Sequence, residues 1–368
     1  MFQYTGEYIK AKSDYVREFY TFTPAPLCKG ISIAVDDELL ALLTTAHKLL
    51  GVLEGLAAYL PDVDTIHKLM YLKECCYSLQ IDCKNSLTFR DALKKMSSGQ
   101  EDIEGITNLF AAYQYIRGKN VVHKELSKAY GLMLYGAKSE HSADVRNRAM
   151  PLGNVITNLK TYSPTAPEYI MPAYYDMIKF INMENHTDIL IKTAMAHYQF
   201  EMIHPYESCN GLLGRVLILM MLQNAHYKAA EYMCLSEYLY FHKEAYFDKL
   251  SSTQSGGGYL PWIKFFVQAV CYAADRAVSE IKRFVEIVSE DERQITALAQ
   301  SSKHVLSVYS YFKQCQISEI KPVSDKLDIS YNTAAKIVKA LTELNVLSLE
   351  QEQSRHKRYC HRAFESSE

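Results

Sequence analysis

The chain has 368 residues, 48% of them hydrophobic, with 40 Lys plus Arg against 42 Asp plus Glu. This length allows two or three folding units, and the apolar content excludes a wholly disordered chain. A formal net charge of −2 excludes a uniformly basic nucleic-acid coat, so any nucleic-acid contact must come from a local patch.

The first residues, MFQYTGEYIKAKSDYV, lack a basic stretch followed by an apolar run, so no secretory leader is expected. The spacing predicts a helix over 37–59, with Leu39, Leu40, Leu43, His47, Leu50 and Leu53 on one stripe. Asp36 or Asp37 is placed to cap its start. Residues 65–82 repeat the pattern through Ile66, Met70, Leu72, Tyr77 and Ile81. Helical spacing recurs over 101–117, 122–136, 167–183, 187–203, 211–225, 241–252 and 260–290. Strand-like alternation is nearly absent before residue 346, so the fold class is mainly α. The irregular segment 149–172 holds Pro151, Gly153, Pro164, Pro167 and Pro172, and a short hairpin or flap is expected near Val155–Leu159. Gly256, Gly257 and Gly258 stop one helix, and Pro261 opens the next.

Composition turns polar after residue 290, which places a domain boundary at about 290–300. Residues 303–314 then read as a helix, and ISEIKPVSDKLDIS with YNTAAKIVKALTELNVL as helix, tight turn, helix. Two short strands around a polar tip follow. This is the order of a winged helix-turn-helix over 300–368. Lys336, Lys339, Arg355, His356, Lys357 and Arg358 put positive charge on its second helix and wing tip, while Glu343, Glu350 and Glu352 dilute it. Contact with DNA and contact with a protein both remain open. No run of about 18 apolar residues occurs, so no membrane helix is expected. The nine Cys are scattered, without a CxxC pair, which fits free thiols and a cytoplasmic location.

The segment HYQFEMIHPYESCNGLLGRVLI (197–218) carries the chemistry. An apolar helix ends at His204-Pro205, because proline disfavours helical geometry at the residue before it. A polar loop leads to Asn210 and to a new helix from Gly211 through Arg215. Such a helix start presents free N–H groups and a positive dipole end to an anion. A His beside it can serve as general base, and an Arg on the first turn can hold phosphate oxygens. The plainer readings are a helix-end histidine, an arginine that only caps a buried carboxylate, and a filler thiol at Cys209.

These residues resemble the Fic (Fic/Doc) family, whose motif is HPFx(D/E)GNGRxxR. Here it reads HPYESCNGLLGR, matching at His204, Pro205, Asn210, Gly211, Gly214 and Arg215, with Tyr206 for Phe. LKECCYSLQIDCKNS (72–86) is similar to the family's inhibitory helix, (S/T)xxxE(G/N), through Ser78, Asp82 and Cys83. SPTAPEYIMPAYYDMIKFIN is similar to the family's Pro-rich flap and the helix after it. The resemblance implies a Fic-type helical core with a small flap hairpin, and a division into 1–110 (with the inhibitory-type helix at about 65–83), 111–292 and 300–368.

It further implies AMP transfer from ATP to a Ser, Thr or Tyr hydroxyl of a protein. His204 would be the catalytic base, and Asn210, Gly211, Gly214 and Arg215 would bind nucleotide phosphates. Ser78 and Asp82 would regulate, Asp82 by pairing with Arg215. The chain departs from the pattern at Ser208, which replaces the acidic Mg²⁺ ligand, at Cys209 for Gly, and at Leu212 for Arg. A hydroxyl is a poor ligand for a hard cation, which leaves Glu207 or Ser208 to assist Mg²⁺. The alternative is a catalytically inactive Fic fold that binds a nucleotide or partner and reports through its winged helix.

Overall fold

A computed structural model describes residues 4–11, 19–60, 63–82, 87–97, 103, 105–135, 144–150, 163–301, 303–351 and 357–364. The hairpin expected at Val155–Leu159, and Cys83, Arg355 and His356, lie outside them.

The chain opens with a hairpin that the sequence reading did not anticipate. Strand β1 (Gly6–Ala11) pairs antiparallel with β2 (Phe19–Pro24), with Tyr8 opposite Phe22. Phe22 is fully buried while Tyr8 opposite it and Tyr20 two residues before it are exposed, so burial does not alternate along these strands.

Helix α1 (Asp37–Ala57) starts where expected, because the Asp36 carboxylate accepts a hydrogen bond from the Leu39 amide at 2.9 Å. Leu39, Leu43, Ala46, Leu50 and Leu53 form its buried stripe. With a mean hydropathy of 1.4 over an 18-residue window, α1 is long and apolar enough to cross a membrane by length and composition, contrary to the sequence reading. Its leucine stripe packs instead against the long helix α11 (Leu260–Ser301).

Helix α2 (Val63–Asp82) is buried almost all round, charged residues included. Lys73 Nζ donates to Glu280 at 2.8 Å and to Glu237 at 3.2 Å, and Glu74 accepts from the Tyr113 hydroxyl and the Ser236 amide. Buried charges persist only when paired in this way. Helix α3 (Phe89–Ser97), α4 (Ile106–Tyr115) and α5 (His123–Tyr135) follow. Helix α6 (Pro167–Asn182) begins with proline at its first position, where the missing N–H is no loss.

Helices α7 (Ile189–Ile203) and α8 (Asn210–Asn224) form the centre and are buried on nearly every side. Short helices α9 (Leu235–Phe241) and α10 (Lys243–Ser252) lead into α11. Helix α11 does not break at the expected boundary; it runs through 290–300 and contributes Ile295 to a second core. That core joins α12 (Val305–Cys315), α13 (Ile320–Leu327) and α14 (Tyr331–Glu343). Strands β3 (Ile317–Glu319), β4 (Leu347–Gln351) and β5 (Arg358–His361) form an antiparallel sheet in the order β3-β5-β4. At the seam, buried Asp291 lies 3.1 Å from His361 Nε2 and forms an ion pair with Arg362 at 2.6 Å.

Candidate functional site

The site lies at the corner between α7 and α8. His204 closes α7 in the left-handed region (φ 50°, ψ 62°), so its backbone turns out of the helix just before Pro205. Burial is the main force holding its imidazole at a pKa of about 4, and the nearby Arg146 charge adds to it; a hydrogen bond to the Glu201 backbone and the Asp82 charge act in opposition. At neutral pH the ring is therefore uncharged and can accept a proton.

The loop 205–209 is shaped from inside. Asn210 Oδ1 accepts from the Tyr206 amide at 2.9 Å, and its Nδ2 donates to the Tyr206 carbonyl at 2.8 Å. The Tyr206 ring is buried and stacks on Tyr130 with centroids 4.0 Å apart; burial pushes its hydroxyl up to about 12. Cys209 takes the left-handed conformation (φ 56°) at the N-cap of α8, the position of the motif's glycine. Glu207 and Ser208 are both exposed, with Ser208 Oγ 3.5 Å from the Tyr130 hydroxyl.

Over the start of α8 lies the last residue of α2. A Cβ at Gly211 would overlap the Asp82 carboxylate, so that carboxylate rests directly on the first turn of α8. Arg215 Nη2 donates to Asp82 Oδ2 at 2.6 Å and to the Ser78 carbonyl at 3.0 Å, and its Nε donates to Ser78 Oγ at 2.7 Å. Burial works against the Arg215 charge, yet its pKa is raised, because Asp82 and further partners outweigh that penalty. Its Nη1 is buried and makes no hydrogen bond among the described residues.

The structure thus brings Ser78, Asp82, His204, Asn210, Gly211 and Arg215 to one corner. It places Gly214 elsewhere. A Cβ there would overlap Glu201 and meet His197 Cε1 at 3.0 Å. Gly214 serves the close approach of α7 and α8, and its carbonyl lies 3.1 Å from His197 Nδ1. Three residues were not anticipated: Arg146, Tyr130, and His197, whose second ring nitrogen reaches the Tyr246 hydroxyl at 2.9 Å. Each acts across the fold, and no sequence spacing announces such a contact.

A donor phosphate fits this corner. An anionic carboxylate already occupies the helix start, Gly211 leaves the cradle open, and Arg215 has an unused N–H. A metal ion fits less well. Among the described residues no group of three His, Cys, Asp or Glu side chains stands together to hold one.

Residues 120–222 match the profile of the Fic/DOC family. This stretch of the chain is a Fic domain. A stretch of 66 residues is 30% identical to protein adenylyltransferase fic-1 of Caenorhabditis briggsae, and the Caenorhabditis elegans protein of that name is 29% identical over the same length. The match spans 17% of this chain and 13% of each of those curated relatives. Among solved structures, a Fic family protein from Desulfovibrio desulfuricans G20 has a TM-score of 0.58 at 17% identity, over 89% of this chain and 97% of that one. A Fic-1 fragment from Caenorhabditis elegans has a TM-score of 0.51 at 16% identity, over 65% of this chain and 71% of that one. At these identities the likeness establishes the fold. The Fic domain holds α5 to α8 and therefore the whole corner except Ser78 and Asp82, which reach it from α2.

Proposed function

We propose that this Fic protein transfers AMP from ATP to a Ser, Thr or Tyr hydroxyl of a protein. The observation that carries the reading is the Asp82 carboxylate held on the first turn of α8 by Arg215, where an anionic phosphate would bind. His204, neutral at pH 7, takes the hydroxyl proton. The hydroxyl oxygen bonds to the α-phosphorus, the bond to the bridging oxygen breaks, and pyrophosphate leaves with the electron pair. The first amides of α8 at Asn210 and Gly211 receive the phosphates, and Asn210 keeps the loop in shape. Arg215 serves the distal phosphate once Asp82 withdraws. Mg²⁺ would neutralise phosphate charge, with exposed Glu207 or Ser208 in the loop to assist it. ATP, the protein substrate and a cytoplasmic setting belong to this reading.

In the same reading residues 300–368 act as a winged helix. Exposed Lys336 and Lys339 on α14, with exposed Lys357 just before β5, offer a contact to DNA or to a protein, while Arg358 at the start of β5 pairs with Glu319.

One observation favours a second reading, a nucleotide or partner sensor without catalysis. Ser208 stands where the motif has a carboxylate, and its side chain is exposed beside Tyr130. Incubation with α-labelled ATP separates the two. Transfer predicts label on protein that disappears in His204→Ala. Absence of label from correctly folded wild-type protein, with ATP still bound, contradicts transfer and favours the sensor.

A further inference from the structure

We propose that Arg146 is a positioning residue for His204, resting on the reading of that corner as the reaction site. Arg146 is nearly fully buried in the 144–150 segment, which has neither helix nor strand. Its Nε donates to the His204 carbonyl at 2.7 Å, and its Nη2 donates to Ile203 at 3.2 Å and to Thr165 at 2.5 Å. Its Nη1 donates to the Arg148 carbonyl at 2.7 Å, and its backbone amide donates to the Pro205 carbonyl at 2.9 Å. One residue therefore ties together the end of α7, the loop after it, its own segment, and Thr165 two residues before α6.

Two physical points separate this from ordinary packing. The last carbonyls of a helix have no partner inside it, and they form the negative end of its dipole. Arg146 satisfies two of them at the residue that carries the imidazole. Its planar fork matches several carbonyls at once, which a lysine cannot do. Second, burial pulls the Arg146 pKa down to about 10, and the Glu207 charge offsets that only in part. A buried cation so weakly compensated is unfavourable, and an apolar side chain of the same size would be less so. The arrangement persists because the guanidinium fixes the peptide plane between His204 and Pro205. That plane links the direction of the imidazole to the loop closed by Asn210. The left-handed backbone of His204 is itself a strained state that needs such a partner.

The test uses Arg146→Met, which keeps the stem and removes the donors, and Arg146→Lys. Histidine ring resonances are recorded by NMR on the full chain, with the His204 signal assigned by its loss in His204→Ala. The proposal predicts that the His204 signal moves in both variants while the His67 signal stays. In the label-transfer assay Arg146→Met lowers kcat about 100-fold with little change in KM for ATP, as a misplaced catalytic group does. Arg146→Lys recovers part of the rate. An unmoved His204 signal in a folded variant overturns the proposal, as does a rise in KM with kcat unchanged. If Arg146→Met fails to fold, the Lys variant carries the same comparison. If no protein transfers label, the AMP-transfer reading fails, and the resonance still decides the role of Arg146 on its own.

Discussion

A charged side chain with 1% of its surface in water stays charged only if protein groups replace that water. Arg215 has Asp82, the Ser78 carbonyl and the Ser78 hydroxyl for that purpose. The three bonds explain why an ion pair across two helices can serve as a latch. Asp82 keeps 24% of its side chain exposed, so it can leave, while Arg215 cannot. Asp82→Asn keeps the shape and removes the charge. It should lower stability by about 1–3 kcal/mol in urea unfolding, less than the loss for a wholly buried pair. The buried histidines make a second prediction. His197 and His204 sit at pKa values of about 3 and about 4, burial being the main cause at both. Unfolded, each titrates near 6.5, so below that pH the unfolded chain binds protons that the folded chain refuses. Stability therefore rises with pH across that window and falls as pH drops from about 6.5 toward 4. His197→Gln should make the fall shallower in unfolding curves measured at several pH values. A slope identical to wild type would contradict the burial argument.

At the scale of elements, the packing of α7 on α8 depends on one missing side chain. Gly214 lies against Glu201 and His197, and a methyl group there has no room. Gly214→Ala should cost about 1–3 kcal/mol of stability, read from the urea midpoint, while a central helix glycine in open space would gain from the same change. The glycine was legible in the motif, but its contact was not: the resemblance to the motif placed it with the phosphate binders, and only the facing helix shows what it clears. The same division holds for the helices. The end of α7 at His204 and the start of α6 at Pro167 were readable because proline acts locally on the backbone. The β1–β2 hairpin was not, because two strands are only marginally stable by themselves and this pair depends on Phe22 packing into the helical core. Helix α3 was missed because nine residues give too few turns to establish a period.

At the scale of the whole molecule, one helix and two sets of charges join the helical core around the candidate corner to the C-terminal unit. Helix α11 runs 42 residues through both cores. Asp291, with no exposed side-chain surface, binds His361 and Arg362 at the seam. Glu350 on β4 reaches Arg90 at 2.7 Å and Lys94 at 3.0 Å on α3, the helix that follows the latch residue Asp82 in sequence. These basic partners hold the Glu350 carboxyl below its usual range against burial. Glu350→Gln should raise amide hydrogen exchange in residues 89–97 and leave α7 unchanged. Equal exchange in both proteins would show that the ion pairs do not hold α3. None of these links was visible in the sequence, since the paired residues stand up to 260 positions apart.

The central claim is that the Asp82 carboxylate and a nucleotide phosphate compete for the start of α8. Calorimetric titration of ATP into wild type, Asp82→Gly, and Asp82→Gly combined with Arg215→Ala tests it most directly. The account predicts at least about tenfold tighter binding on loss of Asp82, a change of roughly 1.4 kcal/mol, and loss of that gain when Arg215 is also removed. Equal affinity in wild type and Asp82→Gly, with both proteins folded, would contradict it.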